Sequence, residues 1–106
     1  MFFFMKSDCC NKNKKESRDM IDLCNFLKII SDKNRLKIIC LLGNESLCVC
    51  KIFKSLNLSQ KLTSHHLGQL KKAGILERKK RGSFAYYNLN KKILKEKSKL
   101  LNQLTR

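Results

Sequence analysis

The chain has 106 residues, including six cysteines, and its 24 Lys and Arg against 8 Asp and Glu give a formal charge of +16. That length suffices for one domain with one modest core, and such a basic excess on a folded domain is the electrostatic footprint of a polyanion binder. Acids are too scarce for paired-carboxylate chemistry, and no glycine-rich phosphate loop or nucleophile–base pairing is present, which argues against an enzyme; no apolar run approaches a membrane span.

The charge is uneven. Residues 1–45 hold nine basic and six acidic side chains, whereas residues 46–106 hold fifteen basic and two acidic ones, Glu77 and Glu96. An AT-rich codon bias accounts for part of the lysine count but not for the loss of acids after Glu45. The apolar Met1–Met5 run is too short for a signal-peptide core, and Met5 is an alternative start. The expected location is cytoplasmic, where the cysteines stay reduced and serve packing, metal binding or redox chemistry.

Residues 6–16 are polar without an apolar period, so residues 1–16 are expected to form a flexible arm bearing Cys9 and Cys10, and residues 17–106 one domain. From Ser17, Met20, Leu23, Cys24, Leu27 and Ile30 recur at helical spacing. Ser31–Asp32 reads as a break with a new N-cap. Leu36, Ile39 and Cys40 continue on a second helix that Ile38, Leu41 and Leu42 widen and Gly43–Asn44 ends. Cys24 and Cys40, on apolar faces, are expected to be buried packing residues.

A short third helix is predicted from about Cys48 to Leu56, with Asn57 as a left-handed stop. Ser59 caps a fourth from about Gln60 to Ala73, which Gly74 ends. Helix, three-residue turn, helix is the spacing of a helix-turn-helix. Two β-prone runs, residues 75–79 and 84–89, flank the basic turn Lys80–Arg81–Gly82–Ser83 and predict a hairpin. A last helix, about Asn90–Leu104, carries the stripe Ile93, Lys97, Leu100, Leu101 and Leu104, which covers either its own core or a partner subunit. The predicted fold is mainly α with a small β-hairpin, in the order α-α-α-α-β-β-α: a winged helix-turn-helix.

On the fourth helix, Leu62, His66, Leu70 and Ala73 are assigned to the inner face; Lys61, Ser64, His65, Gly68, Lys71 and Lys72 fall opposite. Short polar groups near the N-terminus followed by cations are what a recognition helix needs: donors for base edges and a positive dipole end toward phosphate. An ordinary solvated basic helix would show the same periodicity. The candidate double-stranded DNA contacts are Ser59, Gln60, Lys61, Thr63, Ser64 and His65, with Lys79, Lys80 and Arg81 on the hairpin. His65 and His66 point about a hundred degrees apart and cannot chelate one ion together, so His66 is read as packing and His65 as a DNA-facing donor.

In these runs the chain resembles the ArsR/SmtB repressors. Ile30–Ile38 (ISDKNRLKI) is similar to their second-helix opening, and Glu45–Cys50 (ESLCVC) to their "ELCVC" metal box. Leu58–Gln60, Ser64–Leu67 and Leu70–Leu76 resemble their recognition helix, and Arg81–Gly82 with Tyr86–Leu89 their wing. The resemblance spans about residues 20–90. It implies a homodimeric winged-helix repressor whose first and last helices form the interface, here with Leu23, Leu27, Leu100, Leu101 and Leu104. Where the family often has Asp after the second box cysteine, Lys51 stands; where some arsenic-sensing members have a third cysteine, Phe53 stands. Residues 90–106 lack the Asp and His of the zinc-sensing members.

Cys48 and Cys50 would diverge by about two hundred degrees inside a helix, but at a helix start, where the first residue keeps non-helical angles, they can converge. A helix N-terminus also favours the thiolate that binds soft ions. Arsenite takes about three sulfurs and Cd(II) or Pb(II) about three or four, so Cys9 and Cys10 complete the expected metal set, as arm cysteines do in related sensors. The expected function is a transcriptional repressor that releases its operator on binding arsenite, Cd(II) or Pb(II), with no organic cofactor and no membrane partner. The alternatives are a thiol-redox regulator of the same fold and a ligand-independent DNA-binding protein, in which the box cysteines merely pack.

Overall fold

The computed structural model describes residues 14–105. The elements are α1 (Lys14–Ile30), α2 (Lys33–Leu41), β1 (Leu47–Cys48), α3 (Val49–Leu56), α4 (Gln60–Lys72), β2 (Leu76–Arg81), β3 (Phe84–Leu89) and α5 (Lys91–Leu104). The expected order thus holds, with one addition: β1. The three strands form an antiparallel sheet in the order β1-β3-β2.

Local chemistry sets the boundaries. The Asp32 carboxylate caps α2, accepting from the backbone N–H groups of Asn34 (2.8 Å) and Arg35 (3.1 Å). Helix α3 stops at Asn57, which takes a left-handed φ of 55°. The Leu58 N–H then bonds the Phe53 carbonyl and the Asn57 N–H bonds Lys54, a Schellman closure. Ser59 restarts the chain as the N-cap of α4, its Oγ accepting from Leu62 N–H at 3.1 Å. The same closure recurs after α4, where Gly74 has φ 82° and Ile75 N–H reaches the Leu70 carbonyl. Gly82 (φ 61°) and Ser83 join β2 to β3, because Arg81 pairs with Phe84; a type II′ turn needs that left-handed φ at its first central residue.

Ile38 of α2 and Leu42 at its C-cap, Leu47 of β1, Ile52 of α3, Leu67 and Leu70 of α4, and Ile75, Leu76 and Tyr87 form the core. Helix α4 packs against α1, α2, α3 and β2, and α1 also packs along α5.

Several expectations are corrected. Helix α1 begins at Lys14, three residues before the expected start at Ser17, in a run of good helix formers. Strand β2 runs on to Arg81, shortening the turn to two residues. On α2, Ile38 and Leu42 point inward, so Leu36 and Cys40, about two hundred degrees away, are exposed. Cys24, beside buried Leu23, is exposed as well. On α4 the inward stripe is Thr63, His66, Leu67 and Leu70, and Leu62 and Ala73 face solvent. The helix is turned to bury Leu67 rather than Leu62.

Candidate DNA interface and thiol site

The exposed face of α4 carries Gln60, Lys61, Ser64, His65, Gly68, Lys71 and Lys72, preceded by the exposed cap Ser59. The Ser59 oxygen already accepts a cap bond, leaving its O–H as a donor for phosphate. Thr63 departs from the expected DNA-contacting set. It is wholly buried, and its Oγ1 has no hydrogen-bond partner among the described residues. A side chain aimed into the core cannot reach a base edge.

The hairpin holds Arg78, Lys79, Lys80 and Arg81 in succession, all exposed. Alternation along a strand puts Lys79 and Arg81 on one face and Arg78 and Lys80 on the other. The Arg81 guanidinium lies 5.5 Å from the Tyr86 ring centroid, within cation–π range.

Sequence reasoning missed Arg35 as an organiser of this surface. Its Nη1 donates to the Ile29 carbonyl at 3.0 Å, and its Nε reaches His66 of α4. The signal available was its place one turn into α2, facing a histidine-bearing helix.

Cys48 is the N-cap of α3, with extended φ −75° and ψ 158°, and Cys50 lies in the first turn. That geometry brings the two sulfurs together, Sγ to Sγ at 2.8 Å. They share a proton unequally. The hydrogen bond from Cys50, helped by the Lys51 backbone N–H, holds the Cys48 thiol below its ordinary range. The same bond, with burial, pushes Cys50 up. Of the two, Cys48 is the thiol whose charged form is favoured, with the Cys50 sulfur beside it.

A soft ion fits this donor set. Even at the Zn–S length of about 2.3 Å, a tetrahedral site spaces two thiolates by about 3.8 Å, so Cys48 and Cys50 must open by about 1 Å or slightly more for a larger ion. Among the described residues no third His, Cys, Asp or Glu joins them. Cys9 and Cys10, the expected additional ligands, lie outside the described residues. Among the described residues, no helix is long and apolar enough to cross a membrane.

Of the five residues expected at a dimer interface, four are at least partly exposed on the chain itself. Leu27, Leu101 and Leu104 are 40%, 44% and 44% exposed, and Leu100 is half-buried. Leu23 is covered by its own chain, because it faces inward from α1.

Comparison with known proteins matches this geometry. Residues 32–78 match the family described as "Bacterial regulatory protein, arsR family". The chain is 44% identical over 85 residues to the "Cadmium resistance transcriptional regulatory protein CadC" of Listeria innocua serovar 6a, covering 78% of this chain and 71% of that one. It is 36% identical over 81 residues to the "Arsenical resistance operon repressor" of Staphylococcus aureus, covering 76% and 78%. Among solved structures, the transcriptional regulator HlyU from Vibrio vulnificus CMCP6 superposes with a TM-score of 0.69 at 32% identity, covering 86% of this chain and 95% of that one. These relatives are regulators, not enzymes. With a helix-turn-helix, a basic wing and a paired-thiol box in the order described, the chain belongs to the ArsR family of bacterial transcriptional regulators.

Proposed function

We propose that the chain is a homodimeric operator-binding repressor that arsenite, Cd(II) or Pb(II) releases from DNA through Cys48 and Cys50. The observation that carries this reading is the sulfur pair: two thiols 2.8 Å apart, one biased toward thiolate, at the start of the helix leading into the Asn57–Ser59 turn. Ligation there alters the support of α4, whose exposed Gln60, Lys61, Ser64 and His65 face DNA together with Lys79, Lys80 and Arg81 of the wing. Similarity to cadmium and arsenical resistance regulators supports the same ligand class. Cys9 and Cys10 supply the remaining sulfurs. Zn(II) is a weak inducer, since α5 and its flanks lack Asp and His.

The experiment is a fluorescence-anisotropy titration of operator-bound, fully reduced protein with each ion. Release by arsenite, Cd(II) or Pb(II) at stoichiometric levels is expected, and Cys48→Ser or Cys50→Ser retains DNA binding without release. If a mild oxidant releases DNA and no thiophilic ion does, the sulfur pair serves as a redox sensor instead. That second reading draws on the same 2.8 Å separation, which also suits oxidation.

A further inference from the structure

Cys48 belongs to three structures at once. It carries one of the two paired thiols, it caps α3, and it pairs with Tyr86 across β1 and β3. Residues directly opposed in an antiparallel pair present their side chains on one face, and successive pairs alternate. Leu47, Tyr87 and Leu76 face the core. The other face therefore carries Cys48, then Tyr86, then Lys79, Arg81 and Phe84 toward the wing tip. On that face the Arg81 guanidinium sits over the Tyr86 ring at 5.5 Å. One aromatic ring thus stands between the thiol site and a cation of the wing.

We propose that Tyr86 is a coupling residue that transmits the ligand state of Cys48 and Cys50 to Arg81, so that the wing, and not only α4, responds to the ion. This rests on the ion-binding reading given above. The sulfurs must open by about 1 Å to hold one ion. Cys50 is fixed within the first turn of α3, whereas Cys48, at the N-cap, sits on a strand of two residues paired to β3. Displacement at Cys48 therefore bears on Tyr86 and shifts the surface on which the guanidinium rests. Arg81 then meets phosphate from a different position, and one electrostatic contact to DNA is weakened.

The test uses the full chain under reduction, with Cd(II) as the probe. Cd(II) binding is followed by thiolate-to-metal absorption, and operator affinity is measured with and without Cd(II) across a range of salt. In the wild type, Cd(II) should lower affinity and flatten the dependence of log K on log salt by about one unit, the loss of about one phosphate contact. Tyr86→Ala should bind Cd(II) with unchanged stoichiometry while the Cd(II)-induced loss of affinity shrinks about tenfold, the size of an ordinary coupling. Its salt slope should then be the same with and without the ion. Tyr86→Phe, which keeps the ring, should behave as wild type. Adding Arg81→Ala to Tyr86→Ala should diminish the response no further, because both act through one contact. Full release by Tyr86→Ala, with the wild-type change of slope, would overturn the proposal.

A metal-free arm separates failure of the coupling from failure of the ion reading. Linkage is reciprocal, so operator DNA should change the alkylation rate at Cys48, located by peptide mapping, in the wild type and not in Tyr86→Ala. Equal effects of DNA in both proteins, or none in the wild type, would refute the coupling whether or not Cd(II) acts as an inducer.

Discussion

The imidazole of His66 accepts a hydrogen bond from the Arg35 guanidinium, Nε to Nδ1 at 3.1 Å, and so ties α4 to α2. Through its Nη1 the same guanidinium also holds the last turn of α1. His66 can accept this bond only while neutral. Burial holds its pKa below the ordinary value near 6.5, against the smaller opposing pull of Asp32 and alongside repulsion from Arg35 and His65.

A pH dependence follows. A histidine whose folded pKa is depressed binds fewer protons folded than unfolded, so stability rises with pH between the two values. Thermal stability should fall as pH drops below about 6.5 toward the folded value, and no further loss from this group should occur below it. His66→Gln, which cannot titrate, should flatten that part of the profile. Melting curves at pH 7.5 and 5.5 check this; an equally steep loss in the variant would place the sensitivity elsewhere. Asp32 acts at lower pH. The backbone N–H of Arg35 lowers its pKa, so the contribution of its cap is lost only as pH falls through that lowered value.

Thr63 gives a second prediction. Its hydroxyl is buried without a partner among the described residues, and a buried unsatisfied polar group costs about 1–3 kcal/mol. Thr63→Val keeps the shape and removes that cost, so it should raise stability by about 1 kcal/mol and leave the discrimination between operator and random DNA intact. Denaturant unfolding and competition binding check the two halves. Loss of discrimination would return Thr63 to the DNA-reading surface.

Much of the architecture was legible because its signals are local. Asp32, Asn57, Ser59, Gly74 and Gly82 act through their own backbone or the next turn, and each stands where the sequence implies. Strand β1 was not legible: two residues carry no period, and the pairing of Cys48 with Tyr86 is set by the distant hairpin. The rotation of α4 was also hidden. Leu62 and Leu67 are equally apolar in the sequence, and only the placement of Ile38, Leu42 and Ile52 decides which is buried. The exposure of Cys24 and Cys40 was hidden as well, since an apolar stripe leaves the exact facing of a helix open by about a hundred degrees. Convergence of the box thiols, by contrast, followed from the non-helical angles of a cap residue alone.

The terminal helices carry a third prediction. Leu27 on α1 and Leu101 and Leu104 on α5 leave an apolar surface where these two helices pack together. If a second copy covers it, Leu101→Glu with Leu104→Glu should yield a monomer by light scattering, with palindromic operator affinity falling by about a hundredfold or more as the second half-site is lost. Circular dichroism should remain native, because neither residue belongs to the core. A folded variant that stays dimeric would move the interface to another face.

The fourth prediction concerns the unequal thiols. Two groups sharing one proton titrate as a pair, in two steps that belong to the pair. The first thiolate should form below the ordinary thiol range, because the Cys50 thiol and the Lys51 N–H stabilise charge on Cys48. The second should form above it, because Cys50 must then ionise beside a thiolate. Removing the donor in Cys50→Ala should raise the first step toward the ordinary value. Removing the thiolate in Cys48→Ala should bring Cys50 down toward the same value. Ultraviolet thiolate absorbance against pH, compared with a Cys48→Ala/Cys50→Ala double variant as baseline, resolves both steps. Initial attack by an ion or an alkylating agent near neutral pH should accordingly fall on Cys48, the sulfur whose charged form is already favoured. Alkylation at pH 7 should be slower at Cys48 in Cys50→Ala than in the wild type, and at Cys50 faster in Cys48→Ala. Identical titrations in the wild type and both single variants would mean that the two sulfurs do not share a proton in solution, and the 2.8 Å contact would lose its part in preparing the site.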